Sequence, residues 1–386
     1  MYLSAPRRKC PETVAEEFWQ GKSGMTANVL VNPQMEIDDL HEGAPVMCKN
    51  GPGLSTEGPT RWFAQLDAQD CEVAMERIIG PAAPGSFSFC RLTTVRPARE
   101  ITGLDRLQLF QPIEADELFG LTTGGGAGGG GEAVEGGYPE FPLEMRFDIR
   151  TNVDFEVGCT LNTGAADRNF TVNRAVRAGG WQTIRVAIPR DPQAPWLSEA
   201  RFGMYFQIGL SCGDTRLAPE GGASSAGGAW NDGHWLMAAN PSAAKFLTTE
   251  GAQAEITRCY FGPALAAPLA REATMTARTR TQRFIEKSYF TGTGLGGVNE
   301  PNGAFEIIAD AHSARGRVHF TTLKLRSYEA HFYSTATGLE GRAYDLTGTK
   351  DVAVNVLEKS PRCMVVAIPD SEPGHVYRFQ WMVRDL

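Results

Sequence analysis

The stretch that decides the fold runs from Phe202 to Leu210 and reads Phe-Gly-Met-Tyr-Phe-Gln-Ile-Gly-Leu. Every second residue is apolar, and glycine, tyrosine and glutamine stand between them. Because the side chains of a strand point alternately to its two faces, this pattern predicts a strand with one face in a core. The same alternation recurs at 143–150, 184–188, 352–356 and 377–383. Together these runs predict antiparallel sheets.

Turn residues separate the predicted strands, and helix signals are scarce. The chain has 43 glycines and 23 prolines among 386 residues, and turn clusters between short alternating runs are typical of β-sandwiches. Residues 11–20 predict one short amphipathic helix, and 281–289 predict a turn or two of helix at most. We therefore predict a mostly β protein.

Composition narrows the classes of partner. The chain carries 37 Lys and Arg against 45 Asp and Glu, a net charge of −8. A negative field disfavours nucleic acid as the main ligand, whereas a neutral ligand such as a glycan stays open. No apolar run approaches the ~20 residues that cross a bilayer, so we expect no membrane insertion. The first 19 residues lack the apolar core of a signal peptide.

Cysteine and histidine patterns predict neither a disulfide framework nor a metal site. The eight cysteines are scattered with no C-x-x-C spacing, and Cys90, Cys159 and Cys259 stand inside apolar runs. We predict buried free thiols and synthesis in a reducing cytoplasm. The six histidines show no metal-ligand spacing, so we predict no metal and no cofactor.

Two segments interrupt the strand pattern. Residues 122–137 are mostly glycine, which predicts an exposed flexible loop inserted within a domain. Residues 264–282 are small and polar and are predicted to join two domains.

A set of short motifs, in a fixed order, resembles a known family. The motifs are Asn28-Val-Leu-Val-Asn32-Pro33-Gln34-Met35-Glu36-Ile37, Trp62, Leu107–Glu114, Asn169-Phe170-Thr171 with Trp181–Pro189, Gly227–Asn231, Leu247–Gly251 and Arg283–Tyr289. They resemble bacteriophage tail-fibre and receptor-binding proteins, that is, fibres or spikes of the virion. The glycine-rich loop is longer than is usual in that family.

The resemblance implies an all-β architecture: a carbohydrate-binding-module-like jelly-roll β-sandwich over 25–267, a linker over 268–275 and a smaller C-terminal β-sandwich over 276–386. It also implies a place on the virion surface, assembly in the host cytoplasm and a homotrimer. Residues 1–24 precede the family pattern, and we expect this short helical segment to dock on another virion protein through Val14, Phe18 and Trp19. The alternative is that it packs back on its own domain.

Sequence motifs for catalysis are weak. Residues 292–297 fit G-x-G-x-x-G, but the loop-like residues that follow argue against a dinucleotide site. No G-x-S-x-G elbow is present. A polysaccharide depolymerase would need two carboxylates about 5–9.5 Å apart, which sequence cannot pair. We expect a protein that is not an enzyme, with depolymerase activity as an alternative.

The predicted glycan site is the turn that holds Trp230, Asn231, Asp232, His234 and Trp235. Two indoles supply faces for sugar rings, while the amide and carboxylate supply hydrogen bonds to hydroxyls. The alternative is that Trp230 closes the jelly roll as a structural residue. The sequence thus predicts a virion fibre or spike that binds a host surface glycan, against a purely structural virion protein as the other alternative.

Overall fold

The computed structural model describes residues 28–115, 117–118, 143–165, 168–189, 202–213, 229–232, 245–264, 271–289, 293–298, 303–311, 313–324 and 328–385. Over these residues the chain is all-β, and the predicted fold class is confirmed. The predicted N-terminal helix and the glycine-rich loop lie outside the described residues.

Two sheets form between residues 46 and 263. The strands, in chain order, are β1 (Val46–Met47), β2 (Thr56–Glu57), β3 (Phe63–Asp67), β4 (Glu72–Ile79), β5 (Ser88–Arg96), β6 (Arg106–Glu114), β7 (Leu143–Thr151), β8 (Phe155–Thr163), β9 (Arg168–Val176), β10 (Gln182–Ile188), β11 (Phe202–Cys212), β12 (Ala229–Asp232) and β13 (Gln253–Pro263). Sheet I has the order β1-β4-β5-β13-β7-β10, and sheet II has the order β12-β9-β8-β11-β6-β3-β2. A short helix, α1 (Lys245–Thr248), precedes β13.

One apolar core lies between sheets I and II, and we call this pair the N-terminal sandwich. The alternating residues of β7 and β11, for example Phe147 and Phe206, contribute fully buried side chains to it. Trp62 is also fully buried, stands edge-on to Phe206 at 5.9 Å and donates its indole N–H to the carbonyl O of Asn32. Burial of such rings is the main favourable contribution to the stability of the sandwich.

The segment that opens the described chain fastens both sheets together. The Asn28 side chain accepts from the backbone N–H of Phe261 on β13 and donates to the carbonyl O of Cys259. Gln111 on β6 pairs through both amide atoms with the backbone of Val31. Asn28 and Gln111, which belong to the motifs that resemble the virion family, therefore make structural hydrogen bonds.

The C-terminal sandwich consists of two smaller sheets. Its strands are β14 (Ile285–Lys287), β15 (Phe305–Ile308), β16 (Ala314–His319), β17 (Tyr328–Ser334), β18 (Arg342–Asp345), β19 (Lys350–Ala353), β20 (Asn355–Lys359), β21 (Cys363–Ile368) and β22 (Val376–Asp385). In sheet III, β22 pairs with β14, β15, β17 and β18, and β19 pairs with β18. Sheet IV has the order β16-β21-β20. A second apolar core, which includes Phe379 and Val366, lies between them.

Ion pairs join the two sandwiches, and we call this contact the joint. Helix α2 (Thr274–Gln282) stands here, within the segment predicted as a domain connection. Five ion pairs cross this contact. In each of them the carboxylate comes from residues 36–114 and the cation from residues 271–384. The pairs are Arg271–Glu36, Arg278–Asp39, Lys287–Glu42, Arg384–Glu57 and Arg283–Glu114. A small apolar cluster of Val31, Phe284, Ile285 and Met382 accompanies them.

Two local predictions were wrong. The run 352–356 is not one strand. The chain passes from sheet III to sheet IV at Val354, so the run is divided between β19 and β20. The helical reading of 281–289 fails after Gln282, where Ile285–Lys287 instead adds to sheet III through β22. The predicted boundaries at 267 and 276 stay predictions.

The cysteine prediction is confirmed for the described residues. Seven cysteines are free, and six of these are buried: Cys48, Cys71, Cys90, Cys159, Cys212 and Cys259. Burial raises the pKa of Cys48 to about 12 and that of Cys71 to about 11, so both remain thiols at neutral pH. Cys10 lies outside the described residues.

Candidate functional site

The predicted turn opens on β12, an edge strand of sheet II. Trp230 stands opposite Phe170, with ring centroids 5.8 Å apart, and its indole N–H donates to the carbonyl O of Pro189 over 2.8 Å. The ring is half-buried against the core, which fits the structural alternative for this residue. Asp232 is exposed and pairs with the buried Arg168 at 2.5 Å. His234 and Trp235, like Val14, Phe18 and Trp19, lie outside the described residues.

Asn231 lies on the opposite face of sheet II from Trp230. Side chains that face each other across a strand pair lie on the same face of the sheet, so Asn231 shares the outer face of sheet II with Asn169. Following the register across the sheet places fifteen residues in three rows on that face. The rows are Asn173-Gly158-Gly209-Gln108-Gln65, Thr171-Thr160-Gln207-Phe110-Phe63 and Asn231-Asn169-Asn162-Tyr205-Pro112. We call this surface the amide face.

Two amide pairs form the centre of the amide face. Gln108 donates to the Gln65 side-chain oxygen over 2.8 Å, and Asn162 donates to that of Gln207 over 2.6 Å. Each pair has unused hydrogen-bonding atoms, because Gln108 Oε1, Asn162 Oδ1 and Gln207 Nε2 are buried and have no partner among the described residues. A buried polar atom without a partner costs about 1–3 kcal/mol. Gln108, Asn162 and Gln207 are 0–1% exposed, so a ligand reaches these atoms only when the side chains turn outward.

Aromatic rings border these amides. Phe63 and Phe110 are stacked with centroids 5.5 Å apart, and Tyr205 is tilted against Phe110 at 6.4 Å. All three side chains are half-buried, so each keeps an accessible part of its ring. Burial raises the pKa of the Tyr205 hydroxyl, which therefore stays protonated near neutral pH.

The amide face carries no charge in its three described rows. Amides and hydroxyls can both donate and accept hydrogen bonds, which matches the hydroxyl groups of a sugar. Half-exposed rings offer flat apolar surface for the C–H side of a sugar ring. General acid–base hydrolysis would require a pair of carboxyl groups. None stands in these rows, and the carboxylate beside them, that of Glu156, accepts from the Asn173 amide over 3.2 Å.

Sequence reasoning identified only part of this site. The outward residues of β11, which include Tyr205 and Gln207, show in the alternation of 202–210. Gln65, Gln108 and Asn162 were missed, because each looks like an ordinary polar residue of a half-solvated strand. The signal that could have found them is the recurrence of amides, in place of charged residues, on several neighbouring strands.

A concave surface of about 880 Å³ lies beside β1 and β4. Its polar groups are used by the surrounding loops: the Asn50 amide donates to the carbonyls of Ala68 and Cys71, and Arg96 pairs with Glu72 at 2.9 Å. Among the described residues no group of three or more His, Cys, Asp or Glu could hold a metal ion. No helix in the described part of the chain is both long and apolar enough to span a bilayer.

Comparisons with known proteins give weak structural likenesses. No protein-family model matches the chain, and no curated protein matches it. A putative sugar binding protein from Bacteroides thetaiotaomicron aligns with a TM-score of 0.32 and 10% identity, covering 62% of this chain and 100% of that one. The family 11 carbohydrate-binding module from Clostridium thermocellum gives 0.26 and 10%, covering 58% and 98%.

Tailspike protein 4 of bacteriophage CBA120, through its enzymatically active domain, gives a TM-score of 0.29 and 9% identity. The alignment covers 61% of this chain but spans only 21% of the tailspike chain. At these TM-scores nothing about the function of this chain follows from the likenesses.

Proposed function

We propose that this chain binds a neutral glycan on the amide face and does so without cleaving it. The observation that carries the proposal is the pair of coupled amides, Gln108–Gln65 and Asn162–Gln207, with three buried polar atoms left without partners beside a half-exposed aromatic ridge. Two of these atoms accept hydrogen bonds and one donates, a combination that hydroxyl groups satisfy from either side.

Binding by this face would be uncharged and therefore insensitive to salt. Sugars with carboxylate or sulfate groups would gain no ion pair within the three rows. The proposal consequently predicts that the amide face prefers neutral polysaccharides to acidic ones, with an affinity that changes little with ionic strength.

The finer proposal is that the chain belongs to a bacteriophage fibre or spike on the virion surface and attaches the particle to a host glycan. Its support is the ordered set of motifs that resembles virion receptor-binding proteins. In this proposal the first 24 residues dock on another virion protein through Val14, Phe18 and Trp19. A trimer presenting three amide faces would convert weak single-site binding into useful avidity.

The first test is binding of the labelled full-length protein to a panel of neutral and acidic polysaccharides, and to host cells with and without capsule or lipopolysaccharide. Saturable binding to a neutral glycan, lost in Gln207→Leu and Gln108→Leu, supports the proposal. Gln182→Leu is the matched control, because that amide lies on sheet I and pairs locally with Arg177. Binding that persists in both amide-face variants contradicts it.

Separate measurements test the finer parts. Shortened polysaccharide after incubation would show depolymerase activity and contradict the non-enzymatic proposal. Sedimentation equilibrium gives the oligomeric state. Deletion of residues 1–24 should abolish incorporation into virions while leaving glycan binding intact, and a deleted chain that is still incorporated contradicts docking.

A further inference from the structure

The outer face of sheet I differs from the amide face because it carries charge, and one charge on it has no partner within the described part of the chain. Arg146 on β7 is only 5% exposed. Its Nε and Nη1 atoms are buried without a hydrogen-bond partner, and no carboxylate of the described residues forms an ion pair with the guanidinium. A buried charge without a partner is costly, so an arginine in this state points to a missing anion.

The residues around Arg146 add positive charge. Arg185 on β10 stands directly opposite Arg146 in the strand register. On the other side, β13 has a register shift between Thr257 and Tyr260, which inserts Arg258. Like charges directly opposite each other destabilise a strand pair. Burial lowers the pKa of Arg146, and the positive charges of Arg185 and Arg258 lower it further.

The two nearby carboxylates offset this charge only in part: Asp148 and Glu144 both raise the pKa of Arg146, but burial and the neighbouring arginines lower it by more. Asp148 accepts from the Thr183 hydroxyl over 2.7 Å and lies 3.3 Å from Arg258. Glu144 reaches only Arg185, at 3.9 Å, which is beyond hydrogen-bond distance. Three cations therefore face two carboxylates, and the cation left over is Arg146.

We propose that Arg146 and Arg185 together bind an oxyanion on the outer face of sheet I. A planar guanidinium presents paired N–H donors that match a carboxylate or a phosphate. The neighbouring hydroxyls are already used, since Tyr260 donates to the carbonyl O of Pro263 over 2.6 Å and Thr183 donates to Asp148. The guanidinium groups are thus the donors available to the anion.

The ligand chemistry has two sources, which the experiment separates. The carboxylate of an acidic sugar is one, and a phosphate group is the other. The full-length protein is titrated calorimetrically with sodium glucuronate, with glucose as its neutral counterpart, and with inorganic phosphate, all at constant ionic strength. We expect saturable binding of at least one anion and none of glucose.

The variants decide the assignment. Arg185→Gln changes a side chain that is 46% exposed, so the fold should persist, and we expect about tenfold weaker anion binding. Arg146→Gln should abolish binding, and Glu144→Gln should strengthen it by removing the competing negative charge. Arg378→Met in the C-terminal sandwich, a matched loss of one arginine, should leave anion binding unchanged.

Three results would overturn the proposal: no saturable binding of either anion, equal anion affinity in Arg185→Gln, or weaker binding in Glu144→Gln. Glucuronate binding without phosphate binding identifies a carboxylate site, and the reverse identifies a phosphate site. Binding of both supports a general oxyanion site.

Discussion

The joint and the amide face both bury polar side chains, but they do so in opposite ways. At the joint each buried carboxylate meets a cation, for example Asp39 with Arg278 at 3.0 Å and Glu57 with Arg384 at 2.6 Å. On the amide face uncharged groups pair with one another and leave atoms such as Gln207 Nε2 without partners. Paired charges hold the two sandwiches in one arrangement, whereas polar atoms without hydrogen-bond partners favour the binding of a ligand.

The difference lies in the consequence of losing one partner. Breaking a buried ion pair leaves a charge without solvent or counterion, which is strongly destabilising. Removing Gln108 costs less, because its unpartnered Oε1 atom disappears with it and Gln65, which loses its donor, is 9% exposed. Stability should therefore respond to changes at the joint, and ligand binding to changes on the amide face.

The largest effect is expected for Arg384→Met at the joint. The variant leaves the Glu57 carboxylate, whose side chain is 3% exposed, without its cation. We expect the free energy of unfolding to fall by about 3 kcal/mol, as measured by urea denaturation. Arg378→Met on the same strand is the control, since Arg378 pairs with the half-exposed Glu306 and should cost less than about 1 kcal/mol. Equal losses in the two variants would contradict the role given to the joint.

The next effect is a change in pH dependence. Burial raises the pKa of Glu57 in the folded protein, against the opposing charge of Arg384. Between the ordinary carboxyl pKa near 4 and this raised pKa, the folded state binds more protons than the unfolded state. The contribution of Glu57 to the free energy of unfolding is therefore greatest at low pH. It is lost as pH rises from about 4 to the raised pKa, by at most about 1.4 kcal/mol per pH unit.

Glu57→Gln should reduce that slope, because the amide does not titrate. The measurement is the urea unfolding free energy at several pH values between about 4 and 7, compared with the unchanged protein. Asp39, whose pKa burial also raises, leaves part of the slope in place. An unchanged slope in Glu57→Gln would show that Glu57 is not the titrating group.

A smaller effect is expected at Trp230, where the two roles can be separated. Trp230→Phe keeps a ring against Phe170 but loses the hydrogen bond to Pro189, so we expect about 1 kcal/mol lower stability. If the residue is structural, glycan affinity stays the same. A loss of glycan affinity with an unchanged free energy of unfolding would indicate that Trp230 contacts the glycan.

The smallest change in stability is expected for Gln108→Leu. The Gln108 Oε1 atom has no partner, and Gln65, at 9% exposure, is the least buried residue of the amide pairs. Thermal unfolding should shift by less than the equivalent of about 0.5 kcal/mol, while glycan binding is lost. A large loss of stability would mean that the amide pair serves the fold and would remove Gln108→Leu as a test of binding.

Alternation predicted the strands well where one face meets a core. The predicted runs 143–150, 184–188, 202–210 and 377–383 all fall within strands of the structure. The run 352–356 failed because alternation is preserved when a chain passes from one sheet to the other, so the pattern does not reveal the break at Val354.

The sites were harder to predict, because they depend on residues far apart in the sequence. Alternation places Arg146 on the face away from the core, which for a half-solvated strand predicts solvent. The structure instead buries it opposite Arg185, a neighbour set by strand order. Likewise the pairing of Gln207 with Asn162 follows from the register of β11 on β8, which no local motif encodes.

The position of β13 has a consequence for how the protein is made. β13 lies between β5 and β7, so sheet I stays divided until residues 253–263 have left the ribosome. Roughly 160 residues separate β5 from β13, which corresponds to about 8–30 s of synthesis at about 5–20 residues per second. During that interval β5 and β7 present unpaired edges that can associate with other chains. Slow translation or a shortage of chaperones should therefore reduce the soluble yield well before the stability of the finished protein becomes limiting.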